Sequence, residues 1–198
     1  MPLYLIRHGE TEFNVAKRYQ GQNDSPLTSN GISQARRNGQ VLADLRLDKT
    51  NLSFIASPLG RTMDTATYIC KAMGIDPASI KTDAQLMEMH YGAWQGLTAE
   101  EIEHEYPGQW GKRMENIAEF DIPGGGESYN ALVKRANNWI NKTRDEWESD
   151  TPWIVVSHGG TGSVIRGLYT GLDIPAIRTL PLPQGEFFKL HNGEITTL

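Results

Sequence analysis

The residues with the clearest chemical potential are two histidines, each directly after a short apolar run. His8 stands in an Arg-His-Gly turn after the run 3–6, and His158 stands in a Ser-His-Gly turn after the run 153–156. Such runs are typical of buried strands, and the glycine lets the chain turn sharply. Ligands bind at the carboxyl ends of strands in open α/β sheets, and Arg7 beside His8 indicates an anionic ligand. The two turns therefore predict one shared site.

An acid and a further cation lie between the two histidines. Glu88 stands among the apolar residues Leu86, Met87 and Met89. An apolar setting makes a carboxylate costly, so we expect a raised pKa and a general acid, with an exposed glutamate at a strand end as the alternative. Arg61 follows a predicted strand at 54–56, in a helix expected to begin at Ser57-Pro58. The positive end of that helix would favour phosphate beside the guanidinium.

The bulk composition restricts the class of protein. The chain has 198 residues, with 38% hydrophobic and 22% charged residues and a formal net charge of -5. These values are typical of one α/β domain, and the negative charge argues against a nucleic-acid partner. No apolar stretch reaches the roughly 20 residues of a membrane span, and no signal peptide is recognisable. The single cysteine, Cys70, excludes an internal disulfide and suits a reducing compartment. We expect a cytoplasmic protein without a membrane partner.

Periodicity and turn signals predict the elements that must position these residues. Apolar residues at helical spacing predict helices over about 30–45 and from Leu132 to Trp147. Thr98 and Glu101 form a capping-box pattern that opens a short helix. The pair Asn192-Gly193 between two strand-like runs predicts a closing hairpin.

Four motifs in register resemble the histidine phosphatase superfamily, which contains the cofactor-dependent phosphoglycerate mutases and many phosphomonoesterases. They are Arg7-His8-Gly9, the run 57–62 (SPLGRT), Glu88 before the run 91–96 (YGAWQG), and Ser157-His158-Gly159. The resemblance covers residues 3 to about 188. It implies a three-layer αβα sandwich with a mostly parallel central sheet, formed by a single domain over 1–198. It also implies a small helical cap over the site, at about 97–123, that selects the substrate.

The resemblance also implies roles for individual residues. His8, as a neutral imidazole, would attack phosphorus, and Glu88 would protonate the leaving oxygen and then deprotonate water. The residues expected around the phosphoryl oxygens are Arg7, Arg61 and His158. Further substrate contacts are expected from Asn14, from Gln20, from the backbone amides of Gly9 and Gly159, and from Tyr91.

Neither a metal nor a nucleotide cofactor is indicated. The five histidines show no His-x-His, no His-Glu-x-x-His and no cysteine at ligand spacing, and neither a Walker loop nor a Gly-x-Gly-x-x-Gly motif is present. The expected partner is a small phosphorylated metabolite. The oligomeric state is not readable, and a homodimer is left open.

Three functions remain to be weighed, with a metal-independent phosphomonoesterase acting through phosphohistidine as the leading hypothesis. A phosphoglycerate mutase, which alone would need 2,3-bisphosphoglycerate, is the alternative, and a catalytically inactive phosphate-binding protein is third. Against a mutase stand Met89, where mutases usually have a basic residue, a short cap, and a chain that ends almost directly after its last strand. Lys112-Arg113 resembles the basic cap pair of mutases and favours the alternative.

Overall fold

A six-stranded sheet forms the centre of the protein in the computed structural model, which describes residues 1–148 and 151–198. The strands are β1 (Leu3–Arg7), β2 (Ser53–Ala56), β3 (Lys81–Thr82), β4 (Trp153–Ser157), β5 (Phe187–His191) and β6 (Glu194–Thr197). Their order is β3-β2-β4-β1-β5-β6. The first four strands in that order pair in parallel, whereas β5 is antiparallel to β1 and to β6. The mostly parallel sheet expected from the sequence is confirmed.

Strand register places the two histidine turns side by side. Leu3 is opposite Trp153 and Arg7 is opposite Ser157, so β1 and β4 end together. The backbone N–H of His8 then donates to the Ser157 carbonyl at 3.0 Å. Parallel neighbouring strands bring their carboxyl ends to one edge of a sheet. His8 and His158 therefore emerge at adjacent points of the same edge.

Within the described residues, eight α-helices accompany the sheet. They are α1 (Glu12–Val15), α2 (Ser29–Asp44), α3 (Gly60–Met73), α4 (Ala99–Glu105), α5 (Gln109–Glu115), α6 (Tyr129–Trp147), α7 (Gly159–Tyr169) and α8 (Ile174–Ile177). The predicted helices over 30–45 and up to Trp147 are confirmed, as is the capping box of Thr98 and Glu101. One boundary differs from the expectation. Leu59 is the N-cap of α3, so Pro58 lies before the helix rather than in its first turn.

Alternate side chains along β1 pack against the two helical layers on opposite faces of the sheet. Leu3 and Leu5 belong to a core cluster with residues of α6 and α7, whereas Tyr4 and Ile6 belong to a second cluster with residues of α2 and α3. Successive side chains of a strand point to opposite faces, so each face needs its own helical layer. The result is the expected three-layer arrangement.

The C-terminal hairpin has the expected turn. Asn192 and Gly193 both have positive φ, 51° and 79°, as a two-residue turn of type I′ requires. β6 pairs with β5 from Phe188 to His191 across this turn.

The segment predicted as a cap contains α4 and α5. Trp94, fully buried, contacts Trp110 of α5 at 5.8 Å and Phe120 at 6.0 Å between ring centroids. Arg18, near the first histidine turn, donates to Glu101 of α4 at 2.6 Å. These contacts attach the two short helices to the body of the protein. Across the described ranges, no helix is long and apolar enough to cross a membrane.

Helices α2 and α3 approach so closely that one glycine has no room for a side chain. A Cβ on Gly39 would lie 2.7 Å from the Ala72 Cβ and 2.9 Å from the Ile69 carbonyl oxygen.

We expect Gly39→Ala to lower the free energy of unfolding by about 2 kcal/mol, because the overpacking outweighs the gain in helix propensity. The matched control is Gly111→Ala in α5, where a Cβ meets nothing within 4 Å. There the same substitution is expected to stabilise by about 0.5–1 kcal/mol. Urea unfolding of both variants measures the difference. Equal effects at the two positions would contradict the close packing of α2 on α3.

Candidate active site

A cavity of about 260 Å³ lies at the carboxyl ends of β1 and β4. Eight of the ten residues predicted for the site line it: Arg7, His8, Asn14, Gln20, Arg61, Glu88, Tyr91 and Gly159. Its other lining residues are Arg18, Tyr19, Gly21, Gly160 and Leu182. Gly9 and His158 are not among the lining residues.

His8 is held so that one ring nitrogen keeps a free lone pair. Its side chain is buried, and Nδ1 is 2.8 Å from the carbonyl oxygen of Gly9. A carbonyl only accepts hydrogen bonds, so Nδ1 carries the hydrogen and Nε2 of the neutral ring does not. The pKa of His8 is lowered well below its ordinary value of 6.5 by burial and by the nearby charges of Arg61 and Arg7. His8 is therefore a neutral imidazole with an available Nε2.

Gly9 has a structural role in the histidine turn. Its backbone N–H donates to Thr65 Oγ1 at 3.0 Å and so is already used. A Cβ at Gly9 would lie 2.4 Å from the Gly31 carbonyl oxygen at the start of α2. The Gly9 amide is therefore already committed to Thr65, and a ligand contact at this position stays a prediction. Gly9 permits a close approach between the histidine turn and α2.

Arg61 is fixed by the loop that precedes α2. Its side chain is 1% exposed and donates to the Gly21 carbonyl at 2.6 Å and to the Asn23 carbonyl at 2.8 Å. It also pairs with Asp24 Oδ1 at 2.9 Å. Its Nε is buried and has no hydrogen-bond partner among the described residues. The guanidinium is thereby oriented, with the Nε hydrogen and one Nη2 hydrogen uncommitted.

Asp24 also corrects the expectation for the start of α3. Its carboxylate accepts the backbone N–H groups of Gly60 and Arg61, the first two residues of that helix. The positive end of the helix dipole therefore stabilises Asp24, not a bound phosphate. Asp24 was missed in the sequence, where it is one of several turn-forming residues in the loop 19–28.

Arg7 is held from the C-terminal part of the chain. Its Nη1 donates to the Leu182 carbonyl, and its Nε is buried without a partner among the described residues. The acceptor is again a neutral carbonyl. Arg7 therefore keeps its full positive charge for the cavity.

Glu88 lies in a polar setting, contrary to the apolar one expected. It follows a 3-10 turn, Ala84–Leu86, rather than ending a strand. Its carboxylate accepts the backbone N–H groups of Met89 at 2.9 Å, Gly160 at 2.9 Å and Thr161 at 3.1 Å. A Cβ on Gly160 would lie 2.6 Å from Glu88 Oε1. The start of α7 is therefore built around this carboxylate.

The ring of His158 packs edge-to-face against the ring of His8. The two rings are 5.3 Å apart between centroids, and His158 Nε2 is 2.8 Å from Ser57 Oγ. Burial, together with the charge of Arg61, lowers the pKa of His158 well below 6.5. Its Nδ1 is buried and without a partner in the described part of the chain. His158 is thus a neutral ring with one nitrogen uncommitted.

Two amide side chains, those of Asn14 and Gln20, also line the cavity. Asn14 Oδ1 accepts from the Thr11 N–H at 3.1 Å and from Gln184 Nε2 at 2.9 Å, so its NH₂ group is the part left to donate. Gln20 is 8% exposed, and its Oε1 has no partner among the described residues. Gly159 lines the cavity as the first residue of α7. The uncommitted NH₂ group of Asn14 fits its predicted donor role, whereas the unpartnered Gln20 atom is an acceptor oxygen, so a donor role for Gln20 stays a prediction.

Tyr91 connects the cavity to the predicted cap. Its ring is 5.1 Å from that of Tyr19, and Tyr19 is 5.6 Å from Trp110. The buried Arg113 guanidinium lies 5.7 Å from the Tyr91 ring and 5.8 Å from that of Trp110. Burial raises the pKa of Tyr91, which therefore keeps its phenolic hydrogen. This group of three aromatic rings and one arginine forms a wall beside the cavity.

Sequence reasoning missed several residues that hold the others in place. Ser57 contacts His158, Gln184 contacts Asn14, and Leu182 contacts Arg7. Ser57 stood within a recognised motif and could have been found there, whereas the contacts of the loop 181–185 depend on the tertiary fold. Over residues 1–148 and 151–198, no three His, Cys, Asp or Glu side chains are grouped to hold a metal ion.

Comparison with known proteins places this geometry in a family. The sequence profile of the histidine phosphatase superfamily (branch 1) matches residues 3–194. A protein named probable phosphoglycerate mutase GpmB, from Serratia proteamaculans (strain 568), is 36% identical over 184 residues, covering 92% of this chain and 80% of the relative. The protein of the same name from Yersinia pestis (strain Pestoides F) is 34% identical over 182 residues, with the same coverage of 92% and 80%.

Two of the similar solved structures are named as phosphatases. The alpha-ribazole phosphatase from Shigella flexneri superposes with a TM-score of 0.83 at 26% identity, covering 100% of this chain and 95% of that one. A mycobacterial glucosyl-3-phosphoglycerate phosphatase in complex with VO3 gives 0.77 at 30% identity, covering 95% and 91%. With two histidine turns at one sheet edge and a profile match over nearly its whole length, the chain belongs to branch 1 of the histidine phosphatase superfamily.

Proposed function

We propose that the protein is a metal-independent phosphomonoesterase that transfers a phosphoryl group from a small phosphorylated metabolite to His8 and then to water. The observation that carries this proposal is the His8 contact with the Gly9 carbonyl, which leaves Nε2 as a free lone pair in the cavity. A neutral imidazole approaches a phosphate ester without losing nucleophilicity to protonation. No cofactor is needed for this reaction.

In the first step, His8 Nε2 attacks phosphorus and the bond to the leaving oxygen breaks. Arg7 and Arg61 neutralise charge on the phosphoryl oxygens and the neutral His158 donates to them, since each has a buried nitrogen without a partner in the described chain. Fixed donors in a water-poor site stabilise the charge of the transition state at little cost in reorganisation. Asn14, Gln20 and the Gly159 amide supply the remaining contacts.

Glu88 carries the proton in both steps. Its carboxyl group gives a proton to the leaving oxygen, which departs as an alcohol. The carboxylate left behind accepts three backbone N–H groups, and these stabilise it. It then takes a proton from water as the water oxygen attacks phosphorus, the bond from phosphorus to nitrogen breaks, and inorganic phosphate is released. His8 and Glu88 thereby return to their starting states.

A phosphoglycerate mutase is the second candidate, and it would require 2,3-bisphosphoglycerate. The names of the curated relatives and the buried Arg113 beside Tyr91 favour it. Lys112, the other member of the basic pair, is exposed. Met89 next to the acid is 2% exposed and part of the apolar core, so it supplies no cation to the substrate. We therefore favour the phosphatase over the mutase, and both over a non-catalytic phosphate-binding protein.

We place the enzyme in the cytoplasm. Its single cysteine, Cys70, is free and buried, and burial raises the pKa of its thiol to about 12. Such a thiol is inert and needs no oxidising compartment.

We propose that the cap segment 97–123 selects the leaving group of the substrate. It would do so through the wall formed by Tyr19, Tyr91, Trp110 and Arg113 beside the cavity.

Phosphorus NMR tests the proposed reaction. The protein, in chelator, is given 3-phosphoglycerate, a trace of 2,3-bisphosphoglycerate and a panel of sugar phosphates and other monoesters. We expect inorganic phosphate from members of the panel without 2-phosphoglycerate. His8→Asn, whose amide still reaches the Gly9 carbonyl but is no nucleophile, should show no turnover and no phosphorylated protein by intact mass. Rapid formation of 2-phosphoglycerate with little free phosphate would establish the mutase instead.

The role of Glu88 is tested through the leaving group. Glu88→Gln should lose on the order of 100-fold in kcat/KM on alkyl phosphates but far less on activated aryl phosphates, whose leaving oxygen needs no proton. Gly160→Ala should show the same pattern, because its Cβ displaces the Glu88 carboxylate. The matched control is Gly162→Ala, where the nearest atom to a Cβ is 3.9 Å away, in the Leu5 side chain. Equal losses on both substrate types would argue against the acid role.

The shifted pKa of His8 predicts the pH dependence. The neutral ring is the reactive form, and its pKa lies well below 6.5. As pH falls, the nucleophile is therefore lost only below 6.5, and the rate of phosphohistidine formation should stay level from neutral pH down through 6.5. Rapid-quench measurements with an activated aryl phosphate, whose leaving oxygen needs no proton from Glu88, check this after correction for substrate ionisation. Arg7→Met removes one of the cations and should move the acid limb to higher pH. A rate already halved at pH 6.5 in the unaltered enzyme would contradict the shift.

A further inference from the structure

Ser57 forms a buried hydrogen bond with His158. It follows β2 at the same sheet edge, held by its backbone N–H to the Val156 carbonyl at 2.9 Å. The side chain is fully buried, and Oγ is 2.8 Å from His158 Nε2. The same oxygen accepts the Leu59 N–H at 3.4 Å. Ser57 thus bridges the start of α3 and the second histidine.

The direction of this hydrogen bond follows from counting donors and acceptors. A serine hydroxyl has one hydrogen to donate. In the described part of the chain, its other contact is the Leu59 N–H, which is itself a donor. A buried hydroxyl without an acceptor is costly, so the hydrogen must go to His158 Nε2. That nitrogen is therefore an acceptor and carries no hydrogen.

The hydrogen of the neutral His158 ring must then be on Nδ1. This nitrogen is buried and has no partner among residues 1–148 and 151–198. The ring lies 5.3 Å from that of His8 and within the electrostatic influence of Arg61 and Arg7. With the hydrogen on Nε2 instead, both the Ser57 hydroxyl hydrogen and the Nδ1 lone pair would lack a partner in the described chain, and Nδ1 could not donate to a phosphoryl anion. A hydrogen on Nδ1 gives the anion a donor.

We propose that Ser57 is a positioning residue that holds His158 as the Nδ1–H tautomer, so that His158 donates to the phosphoryl oxygens while His8 attacks. The two histidines then carry hydrogen on the same nitrogen with opposite results. A carbonyl acceptor leaves His8 with a free lone pair, and a hydroxyl donor leaves His158 with a free N–H. The kinetic part of this proposal rests on the proposed phosphatase function, whereas the tautomer does not.

Nitrogen-15 NMR of the imidazole rings tests the tautomer directly. Long-range correlations distinguish a protonated from an unprotonated ring nitrogen, and the His158→Gln variant assigns the signals. The spectra are recorded on the full chain, alone and during titration with inorganic phosphate, for the unaltered protein, Ser57→Ala and Ser57→Thr. Ser157→Ala is the matched control, since it removes an equally buried serine hydroxyl that donates to the Leu86 carbonyl at 2.8 Å.

We expect His158 to show hydrogen on Nδ1 and none on Nε2 in the unaltered protein and in Ser157→Ala. Ser57→Ala should lose this preference, bind inorganic phosphate more weakly and lose about 10- to 100-fold in kcat/KM, as supporting contacts to functional histidines typically do. Ser57→Thr, which keeps the hydroxyl, should restore the tautomer.

Hydrogen on Nε2 in the unaltered protein would overturn the proposal, even if Ser57→Ala did not fold. An unchanged tautomer with unchanged phosphate affinity in Ser57→Ala would overturn it as well. The expected tautomer and weakened phosphate binding in a protein without phosphatase activity would support the positioning role and contradict the proposed function.

Discussion

The parallel pairing of β1 with β4 is the constraint on which the site depends. Arg7 opposite Ser157 puts the two histidine turns at the same height on one sheet edge. A shift of one residue in this register would turn every side chain of a strand to the other face of the sheet. Leu3 and Leu5 would then leave their core cluster, while Tyr4 and Ile6 would enter it. The packing of two different helical layers therefore fixes the distance between His8 and His158.

The positive charge of the site is preserved because most acceptors of its two arginines are neutral carbonyls. Arg7 donates to a backbone carbonyl, and Arg61 donates to two carbonyls and to a carboxylate that is 40% exposed. Carbonyls orient a guanidinium without cancelling its charge. The same cations, with burial, keep both histidines neutral. A protein of net charge -5 thus concentrates positive charge on arginine at this site while both histidines stay neutral, as the proposed roles of nucleophile and donor require.

Much of the architecture was readable in the sequence because it depends on local signals. The apolar runs before His8 and His158, the periodic stripe up to Trp147 and the Asn192-Gly193 turn all became the predicted elements. Glu88 was placed in the site but given the wrong surroundings, since its sequence neighbours have apolar side chains and two of its three backbone partners come from α7, about 70 residues later. The contacts of Leu182 with Arg7 and of Gln184 with Asn14 have no local signal at all.

Both helices that begin at the site already have a protein carboxylate at their positive end. Asp24 takes the first amides of α3, and Glu88 takes those of Gly160 and Thr161 in α7. Helix amides often bind phosphate directly, but here they orient Arg61 in one case and the acid in the other. In the proposed reaction, the phosphoryl group is then held chiefly by side chains, and each side chain can orient its own donor. This division explains why a single acceptor, such as the carbonyl beside His8 or the hydroxyl beside His158, is enough to decide what each histidine can do.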